Sequence, residues 1–293
     1  MVDNFLRYIE HEKRFSKHTI ISYATDLSQF SIFISDKYHQ QSPLEADYNM
    51  IRSWMIHLIE NKIEPRSVNR KIACLKSYYK FLLRQNAIVK NHTLRIKAPK
   101  VKKRLPVFIE EMNMSSLLND YIFTDTFSDI RDKMILELLY GTGMRLSELI
   151  GIEDSDINLY DSTMRVTGKG NKERVIPIHE KLKETIEVYN KVKDSTFLNQ
   201  KDSSFILTDK GLKAYPIFIQ RIVKKYLTMV STSEKKSPHV LRHSFATHLL
   251  NKGADLNAIK DLMGHANLAA TQVYTHNSME KLKNIFKQAH PKA

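Results

Sequence analysis

The spacing of apolar residues predicts helices through the whole first third of the chain. Apolar positions recur at helical spacing in four successive segments. The second segment follows Ser16, whose hydroxyl is a suitable N-cap, and the fourth follows Pro65. We therefore predict a four-helix domain over residues 1–98. The apolar residues that define its second and fourth helices are Ile20, Tyr23, Leu27, Phe30 and Ile34, and then Val68, Ile72, Leu75, Tyr79 and Leu82 or Leu83.

The pattern changes twice after this domain. The stretch "KAPKVKKRLP" is basic, contains two prolines and has no periodicity, so residues 99–106 are predicted to be a linker. Residues 107–293 are again mainly helical, except for "TMRVTGKGNKERVIPI", where apolar residues flank a "GKGNK" turn. This stretch predicts a β-hairpin with Lys169 at its tip. The expected fold is mainly α, with a small antiparallel β-sheet in the second domain.

Composition narrows the class of protein. A chain of 293 residues with 42% hydrophobic content is long enough for two soluble domains. Its one cysteine, Cys74, excludes an intrachain disulfide and a cysteine-based metal site, and its apolar neighbours predict a small buried side chain. The N-terminal residues lack the uncharged core of a signal peptide, and no apolar run could span a bilayer. We expect a cytoplasmic protein without a membrane partner.

The positive charge is concentrated in one segment. The net charge is +14, and residues 61–104 hold fourteen Lys and Arg residues against one acid, Glu64. This segment includes the predicted fourth helix, on which basic residues four apart line the surface beside the apolar stripe. The segment lacks the amphipathic pattern of a membrane-surface helix, so the expected polyanion is nucleic acid. The candidate phosphate contacts are Arg66, Arg70, Lys76, Lys80 and Arg84.

Four motifs in the second half resemble those of one enzyme family. "LLYGTGMRLSEL", "VTGKGNKERVIPI", "HVLRHSFATHLLNKGADLNAIKDLMGH" and "TQVYTH" occur in the order and spacing typical of tyrosine recombinases (the phage integrase family), and most resemble the Xer-type chromosome-dimer resolvases. The first domain resembles the helical DNA-clamping domain of those enzymes. The resemblance implies a double-stranded DNA target site, no cofactor, and assembly into a tetramer with itself or a related recombinase. The implied catalytic residues are Arg145, Lys169, His239, Arg242, His265 and Tyr274.

These six residue types suit cleavage of a phosphodiester. Attack adds a second negative charge to the phosphate, and two guanidinium forks can bind its non-bridging oxygens as that charge grows. Tyr274 would attack, with His265 as a proton acceptor, because an unperturbed tyrosine is protonated at neutral pH. Lys169 could protonate the leaving 5′-oxygen, and His239 could hydrogen-bond the phosphate. Two arginines could supply the electrostatic stabilisation that a metal ion provides elsewhere.

Each of these residues also has a plain structural explanation. Tyr274 could be a core aromatic, and the residues after Pro238 could simply begin a helix. The glycine before His265 could cap a helix, and Lys169 could solvate a turn. Glu148, one helical turn after Arg145, is predicted to orient that arginine rather than to act as a base. Taken together beside the basic segment, the six favour catalysis.

The sequence leaves several hypotheses open. The leading one is a site-specific recombinase that resolves chromosome dimers, supported by the lack of an extra N-terminal arm-binding domain. The alternatives are an integrase or excisionase of a mobile element, a type IB topoisomerase, and a non-catalytic DNA-binding protein on the same scaffold. A C-terminal tail helix with the stripe Met279, Leu282, Ile285 and Phe286 is expected to pack on its own domain or on a neighbouring protomer.

Overall fold

The computed structural model describes residues 1–40, 42–101, 107–121, 123–168, 170–198 and 202–264. Contacts between Cα atoms divide the chain into two units, Met1–Arg104 and Leu105–Ala293. Both units are mainly helical in their described parts, as the apolar patterns predict. None of the described helices is both long enough and apolar enough to cross a membrane.

The first unit contains the four predicted helices. The Ser16 hydroxyl accepts a hydrogen bond from the Thr19 backbone N–H at 3.3 Å, which caps the second helix as expected. The four helices are α1 Val2–Arg7, α2 Lys17–Tyr38, α3 Tyr48–Glu60 and α4 Pro65–Arg84.

An aromatic-rich core holds these four helices together. Trp54 of α3 packs on Phe30 of α2, with ring centroids 4.9 Å apart. Cys74 is fully buried, as its apolar neighbours predict. The apolar stripe of α4 ends at Leu82, which is buried, whereas Leu83 is 40% exposed. The opposite face of α4 is therefore free to carry the basic residues.

The second unit combines seven described helices with one small sheet. Its helices are α5 Glu111–Ser115, α6 Phe127–Thr142, α7 Leu146–Ile150, α8 Glu180–Thr196, α9 Pro216–Val230, α10 Pro238–Asn251 and α11 Leu256–Met263. Its strands are β1 Ile157–Asn158, β2 Thr163–Thr167 and β3 Glu173–Pro177. Strands β2 and β3 form the predicted antiparallel hairpin, and β1 adds a short third strand beside β2.

The centre of this unit is helix α6, which lies between α8 and α10. Every residue from Met134 to Thr142 is buried. The helix ends at Gly143, whose φ of 61° is left-handed and favours glycine. A Cβ atom at Gly143 would also lie 2.4 Å from the ring of Phe245 in α10. The glycine thus allows the turn that starts α7 to lie directly against α10.

Candidate active site

Arg145 is held at the start of α7 by contacts on two sides. Its backbone N–H and its Nη1 donate to the two carboxylate oxygens of Glu148, each at 2.7 Å. Its Nη2 donates to the Gly264 carbonyl, also at 2.7 Å. The contact with Glu148 confirms that this acid orients Arg145. The Arg145 side chain remains 36% exposed, so an anion from solvent can reach it.

Arg242 of α10 lies beside Arg145 but is nearly enclosed. It is 5% exposed, and its Nη1 and Nη2 donate to the carbonyls of Gly143 and Met263, at 2.5 and 2.6 Å. The pKa of Arg242 is lowered to about 10, first by burial and then by the positive charge of Arg145. The two guanidinium groups are therefore close enough to repel one another, although the fold holds both.

Arg174 of β3 is a third arginine in this cluster, which the sequence motifs did not predict. It is 7% exposed, and its Nη1 and Nη2 donate to the two oxygens of Glu148 at 2.8 and 2.9 Å. Its Nε donates to the Leu262 carbonyl at 3.0 Å. Strand alternation could have revealed it, because Arg174 shares the buried face of β3 with Ile176. The charge of this buried arginine is balanced by a buried acid, Glu148.

Glu148 is the buried carboxylate that joins two of these arginines. Burial by itself would raise its pKa, but the hydrogen bonds and charge of Arg174, with the hydrogen bonds from Arg145, lower the pKa to about 2. The group is therefore ionised at neutral pH. The described cluster consists of three arginines and one carboxylate, an excess of two positive charges.

His239 lies in the first turn of α10, one turn before Arg242, and is exposed. The helix begins after Ser237, with Pro238 at its first position, as the structural explanation predicts. That explanation does not remove the residue from the site, because positions three apart share a helix face. The pKa of its neighbour His243 is lowered by burial and by the charge of His239. Arg145, Arg242 and His239 are thus presented by the starts of α7 and α10.

Lys169, His265 and Tyr274 lie outside the described residues, as does the predicted tail helix. The residues bonded to two of them do border the arginine cluster. A Cβ atom at Gly168, which precedes Lys169, would lie 3.2 Å from a Glu148 carboxylate oxygen. Gly264, which precedes His265, has a φ of 64° and accepts the hydrogen bond from Arg145. The chain therefore reaches the cluster immediately before each of these two residues.

The basic residues of α4 differ in their partners. Arg66, Lys76 and Lys80 are exposed, and Arg84 donates to the Tyr8 hydroxyl at 2.7 Å while remaining exposed. Arg70 forms an ion pair through both Nη atoms with Asp26, a fully buried carboxylate. The other four are therefore freer than Arg70 to meet a phosphate backbone.

No group of three or more His, Cys, Asp or Glu side chains within the described ranges is placed to hold a metal ion.

Two family models together match most of the chain. The model of the phage integrase family matches residues 108–281, and that of the N-terminal SAM-like domain of phage integrases matches residues 2–86. The chain belongs to the phage integrase family. The resemblance of its C-terminal motifs is thereby confirmed: this family member is a tyrosine recombinase, an enzyme of site-specific DNA recombination.

Curated relatives match this family member over nearly its whole length. It is 36% identical to tyrosine recombinase XerC of Chlorobaculum tepidum over 314 residues, covering 99% of this chain and 94% of the relative. It is 35% identical to tyrosine recombinase XerC of Bacillus subtilis over 301 residues, covering 99% of this chain and 95% of the relative.

Solved structures share the fold. The XerH site-specific recombinase bound to a palindromic difH substrate aligns with a TM-score of 0.72 at 19% identity, over 97% of this chain and 83% of that one. A lambda integrase dimer bound to a COC′ core site aligns with a TM-score of 0.65 at 17% identity, over 93% of this chain and 97% of that one. At these identities the two structures support the architecture alone.

Proposed function

We propose that this tyrosine recombinase cleaves and rejoins DNA at a site formed around Arg145 and Arg242, with Tyr274 as the nucleophile. The observation that carries the proposal is the arginine cluster. Two guanidinium groups are held next to each other against their mutual repulsion, with one buried carboxylate beside them. Such a cluster has a large affinity for an anion, because a bound anion removes the repulsion.

The charge of the cluster matches that of the reacting phosphate. A phosphodiester carries one negative charge, and nucleophilic attack adds a second in the transition state. The described cluster has an excess of two positive charges, so its attraction grows as the reaction proceeds. Stabilisation that increases toward the transition state is what accelerates a reaction.

Among the described residues, both arginines have side-chain N–H groups that no partner accepts. A guanidinium has five N–H groups. The side chains of Arg145 and Arg242 each use two of their nitrogens in the described hydrogen bonds. Those bonds fix the planes of the two groups before substrate arrives, so that little reorganisation is needed when a phosphate oxygen binds.

The remaining roles rest on the family motifs. The Tyr274 oxygen attacks phosphorus and its proton passes to His265, while the bond from phosphorus to the 5′-oxygen breaks and Lys169 protonates that leaving oxygen. His239 hydrogen-bonds the phosphate. The product is a 3′-phosphotyrosine, and a 5′-hydroxyl of another strand reverses the steps. Since the covalent link conserves the energy of the broken bond, no ATP is consumed.

The identity to XerC proteins over nearly the full chain supports a chromosomal role, the resolution of chromosome dimers in the cytoplasm during cell division. We propose that four protomers, of this chain alone or with a related recombinase, assemble on two DNA duplexes. The exposed basic residues Arg66, Lys76, Lys80 and Arg84 would bind the phosphate backbone through the first unit.

A nicked DNA duplex tests the proposal. A binding site is first selected from fragments of the source genome that the protein retains, and a nick is placed so that the short cleaved piece diffuses away and religation fails. On a denaturing gel, the wild type should form a covalent protein–DNA adduct. Tyr274→Phe should bind the duplex equally well and form none. Binding by the wild type without any adduct would instead support a non-catalytic DNA-binding protein.

A further inference from the structure

Three successive backbone carbonyls at the end of α11 each accept a hydrogen bond from a different arginine. Leu262 accepts from Arg174 Nε at 3.0 Å. The next two carbonyls accept from Arg242 and Arg145, at 2.6 and 2.7 Å. The last carbonyls of a helix have no partner within the helix and form its negative end, so cations are favoured there. This end of α11 directly precedes His265.

Arg174 differs from the other two arginines because it is fully committed to the protein. All three of its side-chain nitrogens donate to described partners, and it is only 7% exposed. It is the least suited of the three to bind a phosphate. Burying a guanidinium group is nonetheless costly, so its position calls for a role within the cluster.

Its contacts saturate Glu148. Oε1 accepts from the Nη1 atoms of Arg145 and Arg174, and Oε2 accepts from the Arg145 backbone N–H and from Arg174 Nη2. A carboxylate has about four acceptor positions, and here four donors meet it. Glu148 cannot rotate without losing hydrogen bonds, so Arg174 fixes the carboxylate that in turn fixes Arg145.

The guanidinium of Arg174 also packs on Gly264. A Cβ atom there would lie 3.1 Å from its Nη1 and 3.2 Å from its Cζ. Arg174 therefore touches both the carboxylate that orients Arg145 and the turn before His265, from strand β3, which follows Lys169 in the sequence.

We propose that Arg174 is a positioning residue for DNA cleavage, which couples the β2–β3 hairpin to Arg145 through Glu148 and to the turn before His265 through the Leu262 carbonyl. The inference rests on the proposed cleavage reaction. Because Arg174 would not contact DNA, replacing it should lower the cleavage rate but leave the affinity for DNA nearly unchanged.

Arg174→Met keeps a long apolar chain and removes every donor. The rate of adduct formation on the nicked duplex, measured with all DNA bound, should fall about 10- to 100-fold, as for other groups that orient a catalytic side chain. The dissociation constant for the intact duplex should change less than about twofold, because phosphate contacts carry most of the affinity. Arg174→Lys keeps the charge but loses the fork, so an intermediate rate is expected.

The pH dependence gives a readout that general destabilisation would not produce. Within the described part of the chain, the charged groups set against Glu148 are Arg145 from its own helix, Arg174 from β3 and, further away, Arg242 from α10. Without Arg174, the effect of burial on the Glu148 pKa is no longer offset by that partner, so the pKa rises. A protonated Glu148 binds Arg145 less well. The ratio of wild-type to Arg174→Met cleavage rates should therefore grow as the pH falls below neutral.

A double-mutant cycle locates the effect. If Arg174 acts mainly through Glu148, replacing it should lower the cleavage rate much less in a Glu148→Gln background than in the wild type. The extra pH dependence should also disappear there. The control is Arg131→Met, which removes another buried arginine. Arg131 lies in α6 and forms ion pairs with Asp132 and Asp209. This control should lower the folded fraction while the folded protein cleaves at close to the wild-type rate.

The outcomes are distinct. A wild type without adduct refutes the proposed function. If the wild type forms adduct, three results would refute the positioning role. Arg174→Met could cleave within about twofold of the wild-type rate, or lose activity only in proportion to its unfolded fraction, as Arg131→Met does. The third is a fall in rate that is equally large in the Glu148→Gln background. If Arg174→Met does not fold, Arg174→Lys is judged by the same three comparisons.

Discussion

At the scale of single residues, the two arginines proposed to bind the phosphate are held differently. Arg242 is enclosed and donates to two backbone carbonyls, whereas the side chain of Arg145 is about one-third exposed and leans on Glu148. The motif spacing predicted both residues as well as the contact with Glu148. It did not predict Arg174, because the apolar residues alone indicate the strand, although alternation places Arg174 on its buried face.

Replacing either arginine by lysine should separate catalysis from stability. Arg145→Lys and Arg242→Lys keep the charge but lose the planar fork, so adduct formation should fall by about a hundredfold or more. Arg242→Lys should also lower the free energy of unfolding by about 1–3 kcal/mol, since it leaves buried carbonyls without donors, and Arg145→Lys should cost less. Near wild-type cleavage with either variant would contradict a role in the phosphate clamp.

Glu148 makes stability depend on acid pH. Its pKa is about 2 in the folded protein against an ordinary 4.5. Because folding lowers this pKa, the carboxylate contributes stability that is complete above about pH 4.5 and is lost as the pH falls toward about 2. Its size is on the order of 3 kcal/mol. Urea unfolding of the wild type and of Glu148→Gln should show the difference between their stabilities shrinking below about pH 4.5. A constant difference would show that Glu148 is not held as an ionised group.

At the scale of elements, periodicity predicted the structure well where an element buries one face. All four helices of the first unit and the β2–β3 hairpin are where the apolar patterns place them. Strand β1 was missed, because two residues are too few to show alternation. Periodicity also says little about α6, whose whole circumference is buried near its end. The charge pattern of α4 could not reveal that Arg70 pairs with Asp26, since that contact joins residues far apart in sequence.

This difference within α4 predicts unequal contributions to DNA binding. Neutralising Lys80 by glutamine should shallow the log–log dependence of affinity on salt by about 0.9, and so should the same change at Arg66, Lys76 or Arg84. Binding should weaken equally on target and random DNA, because phosphate contacts carry no sequence information. Arg70→Gln is the matched control from the same helix. Its ion pair with Asp26 should make its effect on the slope clearly smaller, and an equal effect would show that the pair opens on DNA.

At the scale of the whole molecule, the chain combines a unit with a basic helix and a unit with an arginine cluster. The two units meet between Arg104 and Leu105. The two family models match residues 2–86 and 108–281, one on each side of that boundary. The sequence supplies one further element, the predicted tail helix after Tyr274. A short helix with an apolar stripe needs a surface to cover that stripe.

Removing the tail tests how cleavage depends on assembly. If the stripe of Met279, Leu282, Ile285 and Phe286 packs on a neighbouring protomer, truncation after about Ser278 should leave binding to a single site unchanged. Cooperative binding to paired sites and recombination should be lost, as measured by gel shift and by product formation. A truncated chain that unfolds, or that recombines normally, would contradict packing on a neighbour.

The chemical identity of the covalent link tests whether Tyr274 is the nucleophile. The adduct from the nicked duplex is digested with trypsin and nuclease, and the tryptic peptide of residues 261–281 is fragmented in a mass spectrometer. This peptide contains both His265 and Tyr274, so its fragment ions assign the modified residue. We expect a nucleotide joined through its 3′-phosphate to Tyr274, with a free 5′-hydroxyl on the other DNA product. A nucleotide on any other residue, or a link through a 5′-phosphate, would contradict this role of Tyr274.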